Sequence, residues 1–345
     1  MDKKKMIRWA AICLSSFVAV VVIVPSILVK SPPSPSPSSL QPASDSRQSE
    51  TAGQPALQIP VYMSKQQKVV QLPLDQYVRG VLAAEMPIEF ELEAMKAQAM
   101  AARTYIIRRM IEQDTSNVPV SGAWVTDTVA HQAYISDEEL KAKWGEVYAA
   151  NSDKLNRAVD ETRDLILTYD GKPIQATFFS TSNGYTENSE DYWNEYIPYL
   201  RSVPSPWDMK LSPRYKETVT VSYKELQRKL GTPGIVPVST NSRSGMKIME
   251  MTKGHRVKRV VIAGKSFTGR EVRERLGLNS SHFEWSWKGT DLLITTFGYG
   301  HGVGMSQWGA NGMAQQGRKA DEIVKYFYTG IGIDRASKLV KGKSF

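Results

Sequence analysis

The feature that most limits how this 345-residue chain can fold is an apolar run close to its start. Residues 9–29 read WAAICLSSFVAVVVIVPSILV, which is long enough to cross a bilayer as one helix. A lysine triplet and Arg8 precede the run, and the positive-inside tendency places residues 1–8 in the cytoplasm. We expect an uncleaved single-pass anchor, because the run exceeds the usual signal-peptide core and no small-x-small cleavage pattern follows it.

A spacer and a long folded part follow the apolar run. Residues 30–56 are mostly proline, serine and small polar residues, which is typical of a semi-extended tether. We expect residues 57–345 to form an extracytoplasmic domain, catalytic or binding, which the tether holds away from the membrane. The single cysteine, Cys13, lies in the apolar run, so this domain has neither a disulfide nor a thiolate metal site.

The net charge of +9 suits an anionic partner such as a bacterial wall polymer or an acidic membrane surface. A basic surface without a specific partner explains the charge equally well. No long basic arm and no zinc-finger spacing is present, so the sequence does not indicate binding to nucleic acid.

Helical and hairpin patterns alternate along the folded part without a regular βαβ rhythm, which predicts an α+β fold of mixed helices and antiparallel hairpins. An opening hairpin is predicted from about Leu57 to Leu74, and apolar residues at three- and four-residue steps predict a helix over about 91–113. Asp170-Gly171 predicts the turn of a further hairpin over LILTYDGKPIQATFFS, residues 165–180. Residues 215–287 are a candidate second or inserted lobe, which would give two lobes around a substrate cleft.

The helix predicted over LDQYVRGVLAAEMP, residues 74–87, carries an acid on its apolar face. Glu85 lies at spacings of three, four and seven residues from its apolar neighbours on that face: Leu82, Val81 and Val78. Asp75 is predicted to cap the helix, and Pro87 places Glu85 in the last turn, where the helix dipole repels negative charge. Poor solvation and the dipole together predict a raised pKa for Glu85, which suits a general acid. A glutamate that turns to solvent or pairs with a base is the plain alternative.

Two further segments carry polar groups that suit a sugar ligand. KAQAMAARTY, residues 96–105, puts Lys96 and Arg103 on one helical face, where they can hold a ligand or pair with acids. FFSTSNGYTENSEDYW, residues 178–193, is either a binding loop or a turn rich in side-chain caps. It offers hydroxyls, an amide and two flat aromatic faces: Ser180, Thr181, Ser182, Asn183, Tyr192 and Trp193.

The segment FGYGHGVGMSQWGANGMA, residues 297–314, contains six glycines that allow close approach of the backbone. His301 and Gln307 supply polar contacts there. The segment lacks the Gly-Lys-Ser/Thr ending of a phosphate-binding loop, and Gln307 stands where a dinucleotide fingerprint would need glycine.

VLAAEMP and these three segments, in this order, resemble the stage II sporulation protein D family of endospore-forming bacteria. The resemblance spans about residues 61–330 and includes the closing IVKYFYTGI. It implies a membrane-anchored lytic transglycosylase that cleaves peptidoglycan glycan strands between N-acetylmuramic acid and N-acetylglucosamine, and it carries the catalytic acid over to Glu85. We expect substrate contacts or stabilisation of Glu85 from the following residues: Lys96, Gln98, Arg103, Ser182, Asn183, His301 and Gln307.

The chemistry implied by the resemblance needs one carboxylate, whereas most glycoside hydrolases use two. Protonated Glu85 would donate to the leaving glycosidic oxygen, and its carboxylate would then take the proton of the muramic 6-hydroxyl as the anhydro ring closes. The resemblance also implies action between the mother-cell and forespore membranes during engulfment. Stage II sporulation proteins P and M are the implied partners, and a partner amidase/endopeptidase would remove the stem peptides first.

Two alternatives stay open at this point: a non-catalytic glycan-binding scaffold of the engulfment machinery, and a two-carboxylate glycan hydrolase. For the hydrolase the candidate second acids are Glu187, Glu190 and Asp191. An amidase would need a zinc site, and some members of the family hold zinc with cysteine and histidine. This chain has no cysteine outside the apolar run and four histidines, namely His131, His255, His282 and His301, so we expect no metal and no cofactor.

Overall fold

The computed structural model of the protein describes residues 57–232, 245–289 and 291–340. Helices mix with small, mostly antiparallel sheets, so the predicted α+β class is confirmed. The predicted cytoplasmic segment, anchor and tether, residues 1–56, lie outside the described residues. Within the described ranges, no helix combines the length and the apolar character that crossing a bilayer requires.

The elements are numbered in chain order. The strands are β1 (Gln58–Met63), β2 (Lys68–Pro73), β3 (Val125–Thr126), β4 (Leu165–Tyr169), β5 (Lys172–Pro173), β6 (Phe178–Phe179), β7 (Lys216–Ser222), β8 (Met246–Met251), β9 (Val257–Ile262), β10 (Lys265–Thr268), β11 (Phe283–Lys288), β12 (Asp291–Phe297), β13 (Met305–Ser306) and β14 (Gly332–Arg335). The helices are α1 (Leu74–Glu85), α2 (Leu92–Glu112), α3 (Asp137–Trp144), α4 (Tyr148–Asp160), α5 (Ser189–Trp193), α6 (Asp208–Leu211), α7 (Tyr223–Leu230), α8 (Gly269–Leu276), α9 (Gln307–Gln315), α10 (Ala320–Phe327) and α11 (Ala336–Val340). The strand orders of the sheets are β2-β1-β3, β14-β4-β5, β13-β6, β10-β9-β8 and β11-β12-β7.

The larger hydrophobic core is built around α2, which packs against α1, α4, α9 and α10. The sequence predicts this helix to within one residue at each end. The opening hairpin is also confirmed, with Gln58 opposite Pro73 and Met63 opposite Lys68. Apolar residues of α2 are buried on nearly every side, so the helix is the scaffold on which the neighbouring elements are placed.

Helix α1 ends at Glu85 because Met86, which precedes Pro87, takes an extended conformation with φ −115° and ψ 132°. The predicted cap at Asp75 is wrong. The helix begins one residue earlier, so Asp75 lies inside the first turn, and its carboxylate contacts Arg103 Nη2 at 3.4 Å instead.

The described residues of 216–232, 245–289 and 291–297 include a second hydrophobic core, with side chains from β7, α7, β8, β9, β10, α8, β11 and β12. The chain enters through β7 and returns through β12, and the two strands pair with Lys216 opposite Phe297. Entry and exit of this segment are therefore neighbours, and the second or inserted lobe at about residues 215–287 stays a prediction.

The Asp170-Gly171 turn joins β4 to β5, and both residues have positive φ, 49° and 72°. The turn of the predicted hairpin is confirmed, but its two strands pair over only two residues each, Thr168 with Pro173 and Tyr169 with Lys172. Phe178 and Phe179, which the pattern assigned to the returning arm, pair in parallel with β13 instead. This pairing places the start of the 178–193 loop beside the glycine-rich segment.

Candidate active site around Glu85

Glu85 lies at the carboxyl end of α1, partly buried. Its Oε1 accepts a hydrogen bond from the main-chain N–H of Ala133 at 3.1 Å, and its Oε2 accepts one from Gln307 Nε2 at 3.5 Å. Burial raises the pKa of Glu85, and these two hydrogen bonds offset only part of that rise. Among the described groups that shift this pKa there is no cation, so the carboxyl keeps its proton to higher pH than an ordinary glutamate.

The carboxyl faces a cavity of about 340 Å³. The cavity is lined by Glu85, Tyr105, Val129, His131, Gln132, Ala176, Thr177, Phe178, Phe179, Ser180, Tyr299, Gly300, His301 and Gln307. Aromatic faces and neutral hydrogen-bonding groups dominate this wall, a composition that suits an uncharged, hydroxyl-rich ligand. Of the lining residues that the structure describes, Glu85 is the single carboxylate.

One wall of the cavity is the loop 127–135, which sequence reasoning did not identify. The loop follows β3, which pairs in parallel with β1. The loop then packs against α1, where the Ile135 N–H donates to the Gly80 carbonyl. Gly80 permits the close approach, since a Cβ at this position would lie 2.1 Å from the Tyr134 ring. The loop is thereby held against α1 with the Ala133 N–H directed at Glu85.

Another part of the wall comes from the glycine-rich segment, which contributes His301 and Gln307. The backbone of Gly302 has φ +87°, and a Cβ there would lie 2.3 Å from the Arg256 guanidinium. Only glycine fits both the dihedral and the space. Gln307 is the first residue of α9, directly after the N-cap Ser306. From this position its side-chain amide reaches Glu85.

His301 is a neutral wall residue. Burial first, and then the positive charges of Arg273 and Arg256, lower its pKa to about 3. The Val303 N–H donates to His301 Nδ1 at 3.1 Å, which leaves the proton on Nε2. The ring packs among three aromatic side chains of the 178–193 loop: Phe179, Tyr192 and Trp193. His301 can therefore donate a hydrogen bond or shape the cavity, and it carries no charge at neutral pH.

The structure does not bring Lys96 and Arg103 to Glu85. Lys96 Nζ pairs with Glu93 at 2.9 Å and with Glu161 at 3.0 Å. Arg103 is fully buried, and it donates to main-chain carbonyls after α4 and pairs with Asp75. Both cations lie on the face of α2 that meets the end of α4. The structure therefore shows the alternative that the sequence left open, in which both pair with acids.

Three other predicted contacts also lie away from the cavity wall. Gln98 is fully buried in α2 and is not a lining residue. Ser182 donates its main-chain N–H to the buried carboxylate of Asp208 at 2.7 Å, because that carboxylate needs donors. Asn183 donates to the Gly254 carbonyl at 3.0 Å. These groups hold the loop together, and Ser180, two residues earlier, lines the cavity instead.

The candidate second acids line a different cavity of about 500 Å³, between the 187–194 loop and the second core. Glu187 is 1% exposed and lies 3.8 Å from Arg256. Glu190 pairs with Arg201 at 2.5 Å, and Asp191 accepts a hydrogen bond from Asn188 at 3.1 Å. This cavity is larger, but its acids are already engaged by other side chains, so the smaller cavity around Glu85 is the candidate active site.

Sequence reasoning did not assign five polar side chains of the cavity wall to the site: Tyr105, His131, Gln132, Thr177 and Tyr299. Tyr105 and Tyr299 lie inside segments that the motifs had singled out. His131 and Gln132 lie in a loop without periodicity or motif, and only the pairing of β3 with β1 reveals their place. No group of three or more His, Asp or Glu side chains in the described ranges is close enough to hold a metal ion.

Comparison with known proteins agrees with the motifs. The family model described as "Stage II sporulation protein" matches residues 62–169, which include Glu85 and the loop 127–135. Stage II sporulation protein D of Bacillus subtilis (strain 168) is 47% identical over 337 residues, covering 94% of this chain and 96% of that protein. Its counterpart from Bacillus amyloliquefaciens is 50% identical over 282 residues, covering 82% and 80%. The amidase enhancer of B. subtilis is 30% identical over 305 residues, covering 73% of this chain and 39% of that protein.

Proposed function

The chain belongs to the stage II sporulation protein D family, and we propose that it is a peptidoglycan lytic transglycosylase with Glu85 as its single acid and base. The observation that carries the proposal is the isolation of Glu85 in its cavity. This carboxyl is desolvated, is held by two neutral donors and has no second carboxylate among the lining residues. Such a group suits a reaction that uses one residue first as acid and then as base.

The reaction proposed at Glu85 is balanced without water. The protonated carboxyl gives its proton to the glycosidic oxygen as the bond from that oxygen to C1 of the muramic residue breaks. The 6-hydroxyl oxygen of the same residue then bonds to C1, and the Glu85 carboxylate takes the hydroxyl proton. Glu85 ends as it began, and the product carries a 1,6-anhydro ring.

The neutral donors around Glu85 suit both halves of this cycle. The hydrogen bonds from Ala133 and Gln307 stabilise the carboxylate that forms after the first proton transfer. They are too few to remove the rise in pKa caused by burial, so the acid form is available for the first step. A paired cation would have favoured the carboxylate throughout and opposed proton donation.

The cellular setting is also a proposal. We place the catalytic domain outside the cytoplasm on an anchor formed by residues 9–29, acting on glycan strands during forespore engulfment together with stage II sporulation proteins P and M. Membership in a sporulation family supports this setting. A relative named amidase enhancer fits joint action with an amidase that removes stem peptides.

Product analysis tests the proposal. The purified chain is incubated with peptidoglycan glycan strands freed of stem peptides, and the ends of the released fragments are identified by mass spectrometry. We expect 1,6-anhydro-N-acetylmuramic acid ends. Reducing ends would show a hydrolase instead, and binding without any product would show a glycan-binding scaffold.

A further inference from the structure

Gln132 is a buried wall residue of the Glu85 cavity that the proposed reaction does not use. Its side chain is 2% exposed. Its Oε1 accepts a hydrogen bond from the Tyr77 hydroxyl at 3.1 Å, whereas its Nε2 has no partner within the described part of the chain. A buried donor left unpaired costs free energy, so natural proteins rarely keep one without a reason. A ligand acceptor would satisfy it.

The contacts of Tyr77 fix which end of the amide remains unpaired. Tyr77 is fully buried on α1, the helix that also carries Glu85. Burial raises the pKa of the Tyr77 phenol, which therefore stays a donor and requires an acceptor. The oxygen of the Gln132 amide fills that need, and the N–H groups are left over.

The loop that carries Gln132 is fixed relative to the acid. The Tyr134 ring lies nearly parallel to the Tyr77 ring, with centroids 6.1 Å apart and an interplanar angle of 6°. The neighbouring residue, Ala133, donates its main-chain N–H to Glu85. Two consecutive residues of one loop thus serve the same cavity, one holding the acid and the other presenting an unsatisfied amide.

We propose that Gln132 Nε2 recognises the acetamido carbonyl oxygen of the amino sugar beside Glu85, so that the site selects N-acetylated glycan over glycan with free amines. The proposal rests on the proposed function for the class of substrate. An amide carbonyl is a strong neutral acceptor on a strand without peptides. A free amine is an ammonium group at neutral pH, which only donates hydrogen bonds and cannot accept one from Nε2.

The test compares kcat/KM of the full-length chain on two substrates: denuded glycan strands and the same strands after chemical de-N-acetylation. We expect the wild-type chain to prefer the N-acetylated strands by about tenfold or more, because a buried donor rejects a ligand that leaves it unpaired. Gln132→Met keeps the length of the side chain and removes the donor. This variant should lose activity on N-acetylated strands and bring the ratio close to one.

A charge change gives a sharper signature. Gln132→Glu keeps the shape of the side chain and replaces the donor with a group that can accept from an ammonium. Its preference should shift beyond that of Gln132→Met, towards the free-amine strands. A residue that only packs the loop cannot reverse a substrate preference, so this readout separates recognition from structural support.

Two variants serve as controls. Gln98→Met is the matched control, since Gln98 is also a fully buried glutamine but lies off the cavity wall, and neither its Nε2 nor its Oε1 has a partner among the described residues. It should change stability and leave the substrate ratio as in wild type. Tyr77→Phe removes the group that orients the amide, and its ratio should fall between those of wild type and Gln132→Met.

The outcomes separate this inference from the proposed function. A wild-type ratio near one, or a wild-type ratio retained in Gln132→Met, overturns the role of Gln132. If the chain releases no anhydro product, the proposed function fails, and selectivity is read instead from the Kd of Glu85→Gln protein for the two glycans. A preference there that disappears in the Glu85→Gln, Gln132→Met double variant supports the inference, and equal affinities overturn it.

Discussion

Glu85, which is partly buried, and Glu187, which is buried, both have raised pKa values, yet their surroundings differ in kind. Glu187 accepts hydrogen bonds from the Thr252 hydroxyl at 2.5 Å and from two main-chain N–H groups, and it lies 3.8 Å from Arg256. Glu85 has two neutral donors, one of them at 3.5 Å, and faces a cavity.

The difference shows that burial alone does not distinguish the proposed catalytic acid from a structural one. At Glu187 the cost of burial is offset by three hydrogen-bond donors and by the nearby positive charge of Arg256. These contacts tie the 178–193 loop to the second core. At Glu85 two neutral donors offset only part of the cost of burial. The carboxyl can therefore keep its proton, and it has acceptor capacity left for a ligand. What separates the proposed acid Glu85 from the structural acid Glu187 is therefore unused hydrogen-bond acceptor capacity, because both residues have a raised pKa.

The largest effect on stability is expected from Glu187→Ala. Arg256 is 2% exposed and would lose its carboxylate partner, which typically costs about 3–5 kcal/mol for a buried pair. Urea unfolding followed by fluorescence measures the loss. Activity per folded molecule should change little, and a loss of stability below about 1 kcal/mol, the scale of an exposed pair, would contradict the structural role.

Gly302→Ala should be next in size. The added Cβ meets the Arg256 guanidinium and the residue keeps a positive φ, and such local strain costs about 1–3 kcal/mol. Thermal unfolding measures the cost. Gly317→Ala is the matched control for the dihedral, because Gly317 also has a positive φ but a Cβ there meets no neighbour within 4 Å. Equal losses in the two variants would mean that the contact with Arg256 contributes nothing.

The pH dependence of activity should follow the raised pKa of Glu85. The acid form is required first, so kcat/KM falls as pH rises through this pKa, at higher pH than for an ordinary glutamate. Gln307→Leu removes a hydrogen bond that lowers the pKa, so the alkaline limb should move further up, by less than about one pH unit given the long contact. An unmoved or downward-shifted limb would contradict the assignment of that limb to Glu85.

The smallest effect is a gain in stability. Since the folded-state pKa of Glu85 is raised, its contribution to stability is fully present below the unfolded pKa and is lost as pH rises through the folded pKa. Glu85→Gln removes that loss, so the variant should be more stable at neutral pH by about 0.5–2 kcal/mol, as is common when a functional site is neutralised. The gain should vanish in acid, and a constant difference at all pH values would rule out this explanation.

Local signals in the sequence predict the elements well and the packing of the site only in part. Helix phase and Pro87 are local, and they place Glu85 correctly at the end of α1. The glycine-rich segment has its own signal, and His301 and Gln307 do line the cavity. Lys96 and Ser182 carry the right chemistry but face other partners, because which face of α2 or of a loop meets the cavity depends on distant packing. Gln132 has no local signal at all.

The most direct test of Glu85 as the acid and base compares two isosteric variants, Glu85→Gln and Glu187→Gln, at equal concentrations of folded protein. The measured quantity is the rate of release of 1,6-anhydro products from denuded glycan strands. Glu85→Gln should lose at least about 10²–10⁴-fold, the usual contribution of a general acid–base, while it still binds the strands. Glu187→Gln should keep most of its activity. Anhydro products released by Glu85→Gln at the wild-type rate, or equal losses in both variants, would contradict the assignment.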